Sequence, residues 1–107
     1  MIVRMWRGKV RKDLKSEYVA YLNQTGLADY GKVEGNQGVY LLCRDVEDNV
    51  EFLTMTFWTS VAAIKKFAGE DYEKARYYPE DQKYLLNFSE TAEHFEVLYD
   101  VTKDSRS

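Results

Sequence analysis

A chain of 107 residues is long enough for one domain around a single core and too short for two. Hydrophobic residues at 45% and charged residues at 31% are ordinary globular proportions, but aromatics at 15% exceed what a small core absorbs, so some belong to a pocket or an interface. The net charge of -3 argues against a nucleic-acid partner, which needs a clustered excess of Lys and Arg, and no apolar run approaches the roughly 18 residues that cross a bilayer.

The first element is "IVRMWRGKV", β-branched and aromatic, which reads as a strand from Ile2 to Val10 with Ile2, Arg4 and Trp6 on one face. The basic run "RGKVRKDLK" is the solvated end of that strand and a helix start. Leu14, Tyr18, Tyr21 and Leu22 then form one helical stripe, with Asp13 as its expected cap and Gly26 as its expected end. "LADYGKVEGNQG" holds three glycines and is expected to be a long connection. "VYLLCRDV" is a second strand, and "EDN" turns it into "VEFLTMTFW". Cys43, the single cysteine, excludes an internal disulfide, and nothing beside it activates a thiolate. It is expected to be a small buried residue of a cytoplasmic protein, because "MIVRMWRGKV" lacks the uninterrupted apolar segment of a signal peptide.

Ser60 is a good N-cap for a second helix with Val61, Ile64, Phe67 and Ala68 inward and Gly69 as the stop. "EDYEKARYYPEDQKYLLNF" is expected to make two short helical turns broken at Tyr78–Pro79. "EHFEVLYDV" reads as the last strand, with Phe95, Val97, Tyr99 and Val101 on one face. Residues 102–107 are a polar tail.

The order β-α-β-β-α-β is that of an α+β, ferredoxin-like domain over residues 1–101, with a four-stranded antiparallel sheet and both helices on one face. The other face is then bare, yet neither side of "VEFLTMTFW" is made for water. The economical cover is the same face of a second copy, giving a homodimer. Burying about 600 Å² of apolar surface per protomer is worth roughly 15 kcal/mol gross, from which association costs subtract.

"IVRMWRG", "EFLTMTFWTSVAAIKKFAGEDYEKA" and "AEHFEVL" resemble the antibiotic biosynthesis monooxygenase domain family, the dimeric α/β barrels, over residues 1–101. The resemblance implies a dimeric barrel and brings in cofactor-independent oxygenases of polyphenols, quinol oxygenases, haem-degrading enzymes and members without known activity. Fold is implied more strongly than reaction. The haem-degrading branch uses an Asn on the first strand, a Trp at the end of the second helix and an iron-ligating His beyond it. The corresponding places here hold Trp6 or Arg7, Phe67, and Arg76 or Tyr77, so that branch is disfavoured.

One His and one Cys do not supply a Cys/His metal site, and no phosphate loop or dinucleotide fingerprint is present, so no cofactor or metal is expected. His94 is a candidate general base, set against a purely structural or interfacial imidazole. Arg4 is a candidate oxyanion holder, set against a buried charge paired with an acid. Trp6, Trp58, Phe67 and Tyr72 are candidates to line a pocket between sheet and helices, set against simple core packing. Tyr72, Tyr77, Tyr78 and Tyr84 stand where a lid would lie. Two functions follow. One is a cofactor-independent monooxygenase of a small polyphenolic or quinol-type aromatic. The other is a non-catalytic dimeric barrel that binds a small aromatic or hydrophobic molecule.

Overall fold

The structure, a computed structural model, describes residues 1–75, 81–88, 91–99 and 101. Among these residues five strands form one antiparallel sheet: β1 (Ile2–Arg11), β2 (Asn36–Val46), β3 (Asn49–Trp58), β4 (Leu85–Phe88) and β5 (Glu93–Glu96). The order is β2-β3-β1, and the far side of β1 is shared by two short strands, β4 opposite Gly8–Val10 and β5 opposite Ile2–Met5. The expected ferredoxin-like sheet is therefore present, with its fourth position split in two.

β3 alternates without a break. Val50, Phe52, Thr54, Thr56 and Trp58 are buried, while Glu51, Leu53, Met55 and Phe57 are half-buried. Register pairs the buried set with Val10, Gly8, Trp6, Arg4 and Ile2 of β1, so these share the face that the helices cover. The more uniformly apolar set lies on the open face, and the two threonines lie inside. For Thr56 the hydroxyl explains this: its Oγ1 accepts from Trp58 Nε1 at 2.8 Å and donates to the Arg4 carbonyl at 3.3 Å. A buried hydroxyl that is fully hydrogen-bonded escapes most of its desolvation cost.

Among the described residues, four helices, α1 (Lys15–Gln24), α2 (Gly26–Tyr30), α3 (Val61–Ala68) and α4 (Asp81–Tyr84), accompany a 3-10 turn at Lys12–Leu14. α1 buries Tyr18 and Leu22 against Val10, Val50 and Phe52. α3 buries Ala63, Ile64 and Phe67 in a second cluster with Trp58 and Tyr30. Ser60 Oγ accepts from Ala63 N at 3.2 Å, and Gly69 leaves the helix at φ 88, which a residue without a Cβ reaches at little cost.

Several expectations are corrected. Asp13 does not cap α1; its carboxylate accepts from Arg11 at 2.7 Å, and the helix begins after Leu14 with no side-chain cap. Gly26 opens α2 instead of ending the helical run, because the break falls one residue earlier, at Thr25, whose hydroxyl donates to the Tyr21 carbonyl. The glycine-rich connection is correspondingly shorter. Cys43 is exposed, since β2 is an edge strand and the core covers its helix-side residues only at Val39 and Leu41. The last strand pairs only as far as Glu96, leaving Leu98, Tyr99 and Val101 exposed. In the Tyr-rich segment, residues 72–73 form a turn and "LLNF" is a strand. The expected break at Tyr78–Pro79 and the polar tail lie outside the described residues.

Candidate active site

A row of side chains crosses the helix-covered face near the Ile2 end of the sheet. Register places Thr56 of β3, Arg4 of β1 and His94 of β5 side by side. Arg4 is only 3% exposed although it carries a permanent charge. Its Nη2 donates to the Lys74 carbonyl at 3.2 Å, and its guanidinium carbon lies 5.6 Å from the centre of the Phe67 ring. A cation over an aromatic face regains part of the solvation it loses on burial.

The Lys74 contact fixes the chain that follows α3. Lys74 bridges to Thr91, and Ala92 N donates to the Glu73 carbonyl at 2.7 Å. That stitching holds the Tyr72 ring edge-on to His94, centroids 5.1 Å apart at 79°. Under this cover His94 Nε2 is buried and has no hydrogen-bond partner among the described residues. Burial first, and the neighbouring Arg4 charge second, lower the His94 pKa below its ordinary value, while Glu73 pulls the other way. The imidazole is therefore neutral near pH 7, with an unpaired nitrogen beside a guanidinium.

The aromatic candidates divide. Trp58, wholly buried, and Phe67, 7% exposed, belong to one cluster, with Tyr72 packed against it. Tyr30 completes that cluster, stacked on Phe67 at 4.6 Å and edge-on to Trp58 at 6.2 Å. Trp6 belongs to the other cluster, with Val10, Tyr18, Phe52 and Leu85. Its ring lies along the strand over Gly8, where an added Cβ would stand 2.5 Å from Cη2 of the indole. Tyr84 joins that second group, 5.6 Å from Tyr18. Tyr77 and Tyr78 lie outside the described residues.

The structure thus brings together Arg4, His94, Phe67, Tyr72 and Trp58, and separates Trp6 from them. Sequence reasoning missed Tyr30, Thr56 and Glu73. Tyr30 had a signal, three residues after Leu27 at helical spacing, and both pack against Phe67's cluster. Thr56 and Glu73 act through space and leave none.

No family model matches the chain, and no curated protein matches it. Solved structures do. A Bacillus cereus protein assigned as an antibiotic biosynthesis monooxygenase superposes with a TM-score of 0.66 at 16% identity, covering 95% of this chain and 97% of that one. The chain shares the fold of that protein. A variant of MhuD holding two manganese protoporphyrin IX molecules per active site shares it too, with a TM-score of 0.68 at 20% identity over 96% of this chain and 100% of that one. Identities this low speak for the fold and not for the reaction.

Phe67, at the place that the haem-degrading branch gives to a Trp, is stacked into the core on Tyr30, and the single His lies under the Tyr72 ring beside the buried Arg4. Arg76 and Tyr77, at the place of that branch's iron-ligating His, lie outside the described residues. No group of three His, Cys, Asp or Glu is placed to hold a metal ion among the described residues, and none of the described helices is long and apolar enough to cross a membrane.

Proposed function

We propose that the protein is a cofactor-independent monooxygenase of a small polyphenolic or quinol-type aromatic, with its site at Arg4, His94, Phe67 and Tyr72. The observation that carries the reading is the buried Nε2 of a neutral His94, without a hydrogen-bond partner among the described residues, beside the Arg4 guanidinium. A neutral imidazole can take a proton from a phenol or an activated C–H, and the adjacent cation stabilises the anion that results. The half-buried Tyr72, packed at the edge of the Phe67 cluster, offers an apolar wall for the ring.

The substrate anion is then the electron donor. It passes an electron to O2, the two radicals combine at the activated carbon, and loss of water from the peroxide leaves a carbonyl. A CH2 and O2 become C=O and H2O, so O2 is both the oxidant and the oxygen source, and no outside reductant enters. The protein need only ionise the substrate, exclude bulk water and admit O2. We further propose that it works as a homodimer joined through its open sheet faces, in the cytoplasm, where the exposed thiol of Cys43 stays reduced.

Oxygen uptake with anthrone- and naphthohydroquinone-type substrates, after chelator treatment and against boiled protein, tests the reading. General-base help is typically worth ~10² to 10⁴ in rate, and His94→Ala should lose that much with its fold intact. Equal uptake by parent and variant removes His94 from the chemistry. Absence of uptake by the parent, with ligand still bound, leaves the binding barrel in place of the enzyme.

A further inference from the structure

A general base must come within hydrogen-bond reach of the proton it takes, and the site proposed above is shut. His94 Nε2 is buried, without a hydrogen-bond partner among the described residues, so no substrate reaches it in this conformation. A buried ring nitrogen left unsatisfied costs free energy, and the Tyr72 ring against it, 5.1 Å away at 79°, does not satisfy it. For His94 to act, something over it has to move.

The backbone on both sides of the contact is pinned. His94 sits within β5, whose residues Glu93 to Glu96 all pair with β1. Over it, Ala92 N donates to the Glu73 carbonyl at 2.7 Å and Arg4 Nη2 to the Lys74 carbonyl at 3.2 Å. Lys74 N closes a turn around Tyr72 by donating to the Asp71 carbonyl at 2.9 Å. Arg4 and Ala92 are 3% and 6% exposed, so lifting this segment takes acceptors away from donors that water does not reach. That route is costly.

The Tyr72 side chain is held more lightly. It is half-buried, packed at the edge of the Phe67 cluster, with the imidazole and the Lys65 ammonium both against its ring. Lys65 Nζ lies 5.8 Å from the ring centroid, and it also bridges at 3.5 Å to Glu70 across the Gly69 exit of α3. Glu70 is 90% exposed, so the bridge positions the ammonium more than it stabilises the fold. A cation over an aromatic ring at an exposed position favours the closed arrangement by about two- to fivefold.

We infer, resting on the site proposed above, that the Tyr72 ring is a gate over the His94 base, swinging on its own side-chain torsions and latched shut by the Lys65 ammonium. Such a gate also selects what enters. An aromatic ring that takes the place of Tyr72 meets the same imidazole and the same ammonium, whereas an aliphatic ligand regains neither ring contact.

Acylation by diethyl pyrocarbonate tests the gate without any substrate. A neutral imidazole nitrogen takes the ethoxycarbonyl group and the ring loses its proton, while carbon dioxide and ethanol leave. The chain has one histidine, so the acylimidazole absorbance reads His94 alone, and NMR assigns the adduct to Nε2 or Nδ1. At about pH 8, where the imidazole is neutral, Nε2 acylation should be at least about tenfold faster in Tyr72→Ala and about two- to fivefold faster in Lys65→Gln. Tyr72→Phe and Lys65→Arg should keep the parent's rate, since ring and cation remain. Amide exchange at Lys74 and Ala92 should be as slow in Lys65→Gln as in the parent. Should Tyr72→Ala fail to fold, Lys65→Gln carries the test, because Lys65 is exposed. A parent rate in Tyr72→Ala overturns the gate, and a parent rate in Lys65→Gln overturns the latch. Faster exchange at Lys74 and Ala92 in Lys65→Gln overturns the ring swing in favour of a lifting segment. None of these readouts involves O2, so a working gate without oxygen uptake removes the proposed reaction and leaves the gate standing.

Discussion

His94 carries two consequences of its surroundings, one for chemistry and one for stability. Because burial and Arg4 lower its folded pKa, the unfolded chain, titrating near 6.5, takes up the proton first on acidification. The unfolded state then binds more protons, and stability falls as the pH drops below about 6.5 toward the folded pKa. Above 6.5 the group is neutral in both states and contributes no slope. Urea midpoints for the parent and His94→Gln, compared between pH 7.5 and 5, should therefore diverge only on the acid side, with the parent losing more. Parallel curves would show that the imidazole is not held neutral. At this scale the sequence told which residue types could matter but not what faced them. Cys43 illustrates the limit, since "VYLLC" reads as interior by composition and only the edge position of β2 exposes it.

Helix α3 is the element that sets the site, because it hangs Phe67 over Arg4 and delivers the chain to Tyr72. Its ends were legible. Ser at the N-cap and Gly just past the last turn are local signals whose physics does not depend on the rest of the fold. Ser60→Ala should cost about 1 kcal/mol by removing the bond to Ala63 N, read as a lowered denaturation midpoint, whereas Ser60→Asp should restore most of it. A Ser60→Ala protein as stable as the parent would show the cap to be idle. The elements that sequence reasoning missed are those decided by tertiary contact. "LLNF" is too short to announce a strand within a polar, Tyr-rich stretch, and it becomes one by pairing with Gly8–Val10. "GLADY" sits among glycines that suggest a loop, yet α2 persists because Tyr30 stacks on Phe67.

Seen whole, the protomer is a slab, 39 × 36 Å across and 22 Å thick, and its radius of gyration of 14.4 Å exceeds the roughly 13 Å of a compact domain this long. One layer of helices covers one face of the sheet, and among the described residues no second layer covers the other. The open face shows what kind of cover it takes. Val3, Phe57 and Phe95 form one row across it, Tyr40, Met55 and Met5 the next, and Leu42, Leu53 and Arg7 the third, before the charged row of Arg44, Glu51 and Lys9. Arg44 and Glu51 pair within the protomer at 2.8 Å, so this rim suits solvent, while the rows of Phe57 and Met55 suit burial except where the second ends at the exposed Glu93. Placing a charge on each face separates the two roles. Phe52→Lys buries an ammonium on the helix side, where the residue is 1% exposed, and should unfold the protein. Met55→Lys puts the same charge on the half-buried open side, where the folded chain should tolerate it and the proposed stacked dimer should not. Light scattering at micromolar concentration should give about twice the chain mass of 12.6 kDa for the parent, and the chain mass for Met55→Lys with its secondary structure retained. A folded Met55→Lys protein that dimerises like the parent would place the partner elsewhere than on the sheet face.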